Sequence, residues 1–443
     1  MHIKQFEYKP LSHYSYAIVS DGKMAVIDPE RNPQQYYDFA KENQAKIVVV
    51  IETHPHADFV SSHLEIHTKT GATIYNSEML GAEYPHHSFD EGDSIPLGTI
   101  TLKAINTPGH SPDSITIVAS ENDETALFTG DTLFIGDVGR PDLREKAGNM
   151  KAKREALAEM MYDTIQNKFK ELPDNALVYP AHGAGSLCGK SMSDANSSTL
   201  GNERMGNWAF KEQSKEEFIN TLLDGQPFIP AYFGFNVGIN KAGADSIEPS
   251  IAKIPFTENV TADGLIIDMR DEATFKKGHL KGSINIQAVS DTMKFETWLG
   301  AIVEPEEAFI LVIDAEKNKE KLIHRIAKIG YEQQLTQVIT LSEENLEKTE
   351  QLNLADFKAN SDNYTIVDIR NRSEIAEGKF FDTALAHPLN ELRNTAHTIP
   401  TDKPIVVHCA GGYRSAAGSS ILQKKLKGVT VYDLGDAVKQ FQK

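Results

Sequence analysis

Only two cysteines, Cys188 and Cys409, occur in 443 residues. Two thiols exclude a disulfide-built scaffold and a zinc ribbon, so any sulfur chemistry falls to single thiols in a reducing compartment. Positive charge is also short: 45 Lys and Arg against 63 Asp and Glu leave a formal net charge of −18. That balance excludes a chain whose main task is gripping phosphate backbones or anionic membranes, and neither nucleic acid nor membrane is expected as a partner. Long apolar runs are missing, and the longest, Ile47 to Ile51, is far short of a bilayer span. The opening Met1-His2-Ile3-Lys4-Gln5-Phe6 lacks the basic-then-apolar pattern of a signal peptide, so a cytoplasmic location is expected. What the chain does have is 40% hydrophobic residues, ample for packed cores, and a length that suggests about three domains.

The first half alternates β-rich runs with helical stretches. Ala25 to Ile27, Lys46 to Ile51, Ile100 to Ile105, Ser114 to Val118 and Ala126 to Thr129 read as strands. Pro33 to Asn43, Lys151 to Leu172 and Glu217 to Leu223 read as helices. The second half repeats itself. Leu265-Ile266-Ile267-Asp268-Met269-Arg270 returns as Thr365-Ile366-Val367-Asp368-Ile369-Arg370. Phe309 to Asp314 then corresponds to Pro404 to Cys409, and a helix and a further strand follow each. Two parallel β/α units of about 100 residues fit this order. The expected domains are 1–245, 246–345 and 346–443.

Four apolar strands in the first half run into metal-capable residues at tight turns. Lys46 to Ile51 leads to Thr53-His54-Pro55-His56-Ala57-Asp58, and others lead to Pro108-Gly109-His110, Gly130-Asp131 and Pro180-Ala181-His182. Strand ends on a rigid scaffold can bring such loops together. On these motifs the first 240 or so residues resemble the metallo-β-lactamase superfamily. The family's first motif is His-x-His-x-Asp-His, serving two metals, but Phe59 stands at its last position here and cannot ligate. The departure resembles the persulfide dioxygenase group. The resemblance implies one Fe(II) per chain held by His54, His110 and Asp131, the two-His, one-carboxylate facial triad of non-haem iron oxygenases. It places His56, Asp58 and His182 behind the ligands as orienting residues. Gly136 to Asp142 resembles that group's substrate-side loop, so Arg140 and Tyr179 are candidate substrate contacts. Cys188 reads as a passive thiol.

The second repeat ends in Val407-His408-Cys409-Ala410-Gly411-Gly412-Tyr413-Arg414, a strand, a Gly-rich turn and a helix start. Amides freed by Gly411 and Gly412, together with the helix N-terminus, would cradle an anion and favour a thiolate, with Arg414 as a fixed charge beside it. The loop resembles that of rhodanese sulfurtransferases, which implies Cys409 as the sulfur-carrying nucleophile. The first repeat has Asp314 where the Cys would be and no glycine pair. It is expected to be rhodanese-like without the chemistry.

The expected architecture is therefore α/β: an N-terminal metallo-β-lactamase αββα sandwich followed by two rhodanese-like α/β domains, the first lacking the catalytic Cys. The resemblance implies a low-molecular-weight thiol persulfide, O2 and sulfite as reactants, with thiosulfate as product, and relatives suggest a homo-oligomer. A binuclear zinc thioester hydrolase of glyoxalase II type and a non-enzymatic persulfide carrier or sensor are the alternatives.

Overall fold

The computed structural model describes residues 1–145, 154–342 and 345–442. The chain forms two compact units, one of Met1–Ser250 with Ala327–Gly330, the other of Ile251–Ile326 with Tyr331–Lys443.

The first unit is built on two six-stranded sheets. One runs His2–Tyr8, His13–Ser20, Lys23–Ile27, Lys46–Ile51, Thr73–Asn76, His87–Ser88, with each strand beside its predecessor. The other orders Ser198–Thr199, Leu177–Pro180, Glu124–Gly130, Ile115–Glu121, Ile100–Asn106, Ser94–Leu97. Side chains alternate across each strand, and both faces of both sheets are apolar. Tyr16, Ile18, Ala25 and Ile27 meet Leu102, Ala104, Ile117, Ala126 and Phe128 in one core between the sheets. The register break that leaves Val48 unpaired against Met24 and Ala25 turns Val49 and Ile51 toward this core, while Ile47 and Val50 face outward. On that outer face lie Tyr36 and Ala40 of helix Gln34–Glu42 and Ile66 of helix His63–Thr70. On the outer face of the second sheet, Val118, Leu127 and Val178 pack on Ala158, Met161 and Ile165 of helix Arg154–Asn167 and on Phe218 and Leu222 of helix Lys215–Leu223. This is an αββα sandwich.

The helix expected over Lys151 to Leu172 spans Arg154–Asn167 within the described residues, and 151–153 lie outside them. It stops early because the Arg204 guanidinium takes the carbonyls of Phe169, Lys170 and Leu172 as acceptors, closing the chain into a turn.

The second unit carries the repeat. A five-stranded parallel sheet orders Phe256–Thr257, Leu335–Thr340, Phe309–Ile313, Leu265–Asp268, Ile284–Asn285. A four-stranded parallel sheet orders Leu385–Ala386, Thr365–Asp368, Ile405–His408, Val431–Asp433. Apart from the added Phe256–Thr257 edge, the two sheets share one order. The Asp-x-Arg dipoles are structural in both. Arg270 folds back on Asp268 and donates to the Gly278 carbonyl; Arg370 does the same with Asp368 and Gly378. Each guanidinium thus ties a strand end to the end of the following helix.

Phe128 packs edge-on to Tyr16 at 5.0 Å and stacks on Tyr179 at 5.5 Å in the inter-sheet core. Replacing it with Ala should destabilise the first unit by about 3–5 kcal/mol. Faster amide hydrogen exchange across both of its sheets, with no change in the second unit, is the expected readout.

Candidate functional site

Three strand ends of the first unit meet at one point. His54 follows Lys46–Ile51, His110 follows Ile100–Asn106, and Asp131 follows Glu124–Gly130. All three are buried. His54 Nε2 lies 3.8 Å and His110 Nε2 3.6 Å from Asp131 Oδ2, and the three donor atoms fall within 4.8 Å of one another.

The hydrogen bonds behind these groups decide their protonation. Thr53 donates its hydroxyl proton to Asp28 Oδ2 (2.8 Å), so its oxygen can only accept from His54 Nδ1 at 3.1 Å. The Arg140 carbonyl, an acceptor only, lies 2.8 Å from His110 Nδ1. Each imidazole therefore carries a proton on Nδ1, which leaves Nε2 as the nitrogen able to ligate. Asp131 Oδ1 accepts from His182 Nδ1 at 2.7 Å, whereas Oδ2 is buried and accepts no hydrogen bond. Burial alone would raise the Asp131 pKa, but the charged His182 that hydrogen-bonds it holds it well below the usual carboxylate range. Two lone pairs and one anionic oxygen converging in a buried site fit a divalent cation with open coordination positions.

His182, Asp58 and His56 lie beside these three groups. His182 donates to Asp131 from Nδ1 and to Asp58 from Nε2, at 2.7 and 2.8 Å. Burial opposes its charge, but the two carboxylates outweigh burial and raise its pKa to about 10. With both nitrogens donating, His182 has no lone pair for a second metal. Phe59 adds a steric reason: its ring lies 3.8 Å from the His13 ring and 4.4 Å from that of His56. His56 points to Asp28, with Nε2 3.1 Å from Oδ1. Asp28, Thr53 and His13 form part of this shell and were not singled out in the sequence. Asp28 and Thr53 have no metal-type spacing, and His13 reaches the site only because its strand bridges His182 across the fold.

Other expected site residues are placed differently. Arg140 is buried, its fork closed on Asp142 at 2.6 Å and on the Leu187 carbonyl at 3.2 Å. It reaches the centre through its backbone oxygen on His110. Tyr179 is half-buried against Phe128 and Tyr16 in the inter-sheet core. Cys188 is buried with Asp58 and His182 near it. Burial, with Asp131 and Asp58, pushes its thiol pKa well up, so it stays protonated.

In the second unit, Cys409 follows strand Ile405–His408 and is buried. Gly412 donates its N–H to Cys409 Sγ at 3.2 Å, and helix Tyr413–Lys425 begins at the next residue. Only glycine serves there: φ is +99°, and a Cβ would stand 2.9 Å from the Asp436 nitrogen. Gly411 faces open space. Arg414 donates to both oxygens of Glu374, at 2.6 and 2.7 Å. Burial works against its charge, but Glu374 and, more weakly, Cys409 keep it cationic. In the first repeat Asp314 occupies the strand end, exposed and accepting from Asn318 Nδ2 and the Ala315 N–H.

His110→Ala should abolish tight metal binding, measured as metal content of the purified chain. Gly139→Ala should do the same indirectly, because a Cβ there would fall 1.8 Å from the Asp131 carbonyl oxygen and 3.0 Å from His110 Nδ1. Full metal occupancy in either variant would contradict this geometry.

Comparison with known proteins agrees with the two halves. The metallo-beta-lactamase superfamily pattern matches residues 8–182, and the rhodanese-like domain pattern matches 255–342 and 353–443. A solved metallo-beta-lactamase from Staphylococcus aureus is 34% identical, with a TM-score of 0.70, covering 76% of this chain and 99% of that one. Persulfide dioxygenase ETHE1 of Bos taurus is 33% identical over 159 residues, 35% of this chain and 58% of that protein. A cytoplasmic hydroxyacylglutathione hydrolase of Arabidopsis thaliana is 31% identical over 176 residues, 38% of this chain and 63% of that protein. The chain thus spans about three-fifths of the length of these two relatives. With its αββα sandwich and duplicated parallel sheets, the chain belongs to the metallo-beta-lactamase superfamily, as a fusion of such a domain to two rhodanese-like domains.

Proposed function

We propose that the chain oxidises a low-molecular-weight thiol persulfide at a single Fe(II) centre, and that Cys409 then joins sulfane sulfur to the sulfite formed. The first reaction consumes persulfide, O2 and water and yields sulfite, free thiol and two protons. The observation that carries this reading is the converging donor set of His54, His110 and Asp131, with Phe59 and a doubly donating His182 beside it. His54, His110 and Asp131 would hold a ferrous ion, which would supply the redox activity that oxidation of a persulfide by O2 requires.

The chain's own residues prepare that centre. Asp28 orients Thr53, and Thr53 orients His54. The Arg140 carbonyl orients His110, and Asp58 with His182 holds Asp131. Arg140 would meet a substrate carboxylate only by giving up Asp142, so its guanidinium serves as a strut for the 140–142 turn. Tyr179 supports the substrate side through Phe128. Glutathione, coenzyme A and other small thiols fit equally as carriers.

At the second centre, the Cys409 thiolate attacks the outer sulfur of a persulfide. The S–S bond of the donor breaks, the thiol leaves, and Cys409 holds the sulfane sulfur. The sulfite lone pair then attacks that sulfur, an S–S bond of thiosulfate forms, and the Cys409 thiolate departs. Gly411 and Gly412 border the reacting sulfur and the N–H of Gly412 is aimed at it. We divide the chain as 1–245 for the oxygenase, 246–345 for the thiol-less repeat and 346–443 for the sulfurtransferase. Two unpaired thiols fit a reducing compartment, the cytoplasm; among the described residues no helix is long and apolar enough to cross a membrane. The hydroxyacylglutathione hydrolase likeness favours a thioester hydrolase, but such a site needs a second metal where Phe59 stands.

Metal analysis of anaerobically purified protein should find about one iron per chain, with O2 uptake dependent on added persulfide. Two zincs with thioester cleavage would refute the reading. Cys409→Ser should abolish thiosulfate formation while leaving O2 uptake and sulfite release intact. Loss of O2 uptake in that variant would refute the division of labour.

A further inference from the structure

The thiol-less repeat keeps the rhodanese-like sheet but has Asp314 in place of the nucleophile, and the proposed reaction gives it no task. Three of its side chains or backbone groups nevertheless converge on the loop that carries Cys409. Gln287 offers its carbonyl to the Tyr413 hydroxyl at 3.0 Å. Lys276 pairs with Asp433 at 2.7 Å, in the segment whose Gly435 and Asp436 press against Gly412. Trp298, on helix Phe295–Ile302, lies beneath the Arg414 guanidinium, with Cζ 5.7 Å from the ring centroid.

Arg414 is thus held from two directions. The guanidinium stands over the Trp298 ring at cation–π distance, an electrostatically favourable place for a cation. Glu374 takes one N–H from each terminal nitrogen in a fork-to-fork pair. Glu374 is itself fixed, since Oε2 also accepts the Asn371 N–H at 3.0 Å in the capping box of helix Arg372–Glu377. A guanidinium has five N–H donors. With two on Glu374, three remain, and the group is planar, charged and unable to swing. A long flexible cation at a loop would otherwise lose rotamer entropy each time it ordered on an anion.

We infer that Trp298 of the thiol-less repeat and Glu374 are positioning residues that lock Arg414 as the anion-recognising group of the Cys409 loop, so that this loop takes a small oxyanion as sulfur acceptor in preference to an uncharged thiol. This rests on the sulfurtransferase reading. It also gives the middle repeat a task in the reaction: it supplies one wall of its neighbour's acceptor site.

The test uses the full-length chain with Cys409 loaded from glutathione persulfide. Sulfur is then transferred either to sulfite, read as thiosulfate, or to dithiothreitol, an uncharged acceptor that releases sulfide. Trp298→Ala and Glu374→Gln should each raise the KM for sulfite about tenfold, with kcat within about twofold and transfer to dithiothreitol unchanged. Trp298→Phe, which keeps an aromatic face, should restore most of the sulfite KM. An equal fall with both acceptors, or an unchanged sulfite KM in both variants, would overturn the inference. A wild-type chain that passes sulfur to neither acceptor would instead overturn the sulfurtransferase reading beneath it.

Discussion

A single buried carboxylate organises the first unit's centre. Asp131 is useful because its two oxygens are treated differently. One is pinned by His182, which is pinned in turn by Asp58; the other faces His54 Nε2 and His110 Nε2. A buried charge with no partner would be costly, and a fully bonded one would have nothing to offer a metal. The doubly donating His182 resolves that conflict. It offsets one of the two carboxylate charges and, with both ring N–H groups donated, keeps no nitrogen for a ligand role. The same bond that fixes Asp131 Oδ1 also engages one ring nitrogen of His182. Phe59 fills the space beside His56 with an apolar ring.

The second unit separates fold from chemistry. Both repeats keep the strand-end lock in which an Arg folds onto the Asp two residues earlier and reaches a carbonyl eight residues later. That lock belongs to the sheet, so it survives where the thiol does not. Only the strand carrying Cys409 is followed by the glycine turn that lets an amide face the sulfur. Chemistry in this half therefore depends on one short loop, and the loop is braced from both repeats. A duplicated domain that has lost its nucleophile can remain necessary if its surface has become part of the other copy's site.

Much of this was legible from residue order. Strand Lys46–Ile51 has the bounds its apolar run suggests, because four of its six positions are buried and both faces of the strand are covered. Both repeats were recognisable because Asp-x-Arg recurs after an apolar run. The hairpin His2–Tyr8 and His13–Ser20 was not, since the first strand is polar and partly covered while the second buries polar and aromatic residues on both faces, and neither gives a strong period. Nor was the early end of the helix Arg154–Asn167, which a distant Arg204 imposes. Arg140 shows the limit most clearly. Its type and place suggested a substrate contact, but only folding shows that three of its N–H groups are on Asp142 and the Leu187 carbonyl.

Residue identity alone determined which atoms could ligate, that Phe59 could not, and that one thiol stands in a glycine turn. These follow from side-chain chemistry and local backbone freedom, which neighbours in sequence carry with them. Tertiary structure decided which nitrogen of each histidine bears the proton, that His182 faces two carboxylates, and that Trp298 lies against Arg414. Those outcomes depend on acceptors contributed from elsewhere in the chain. A hydrogen bond sets a tautomer only once folding has brought its partner within reach.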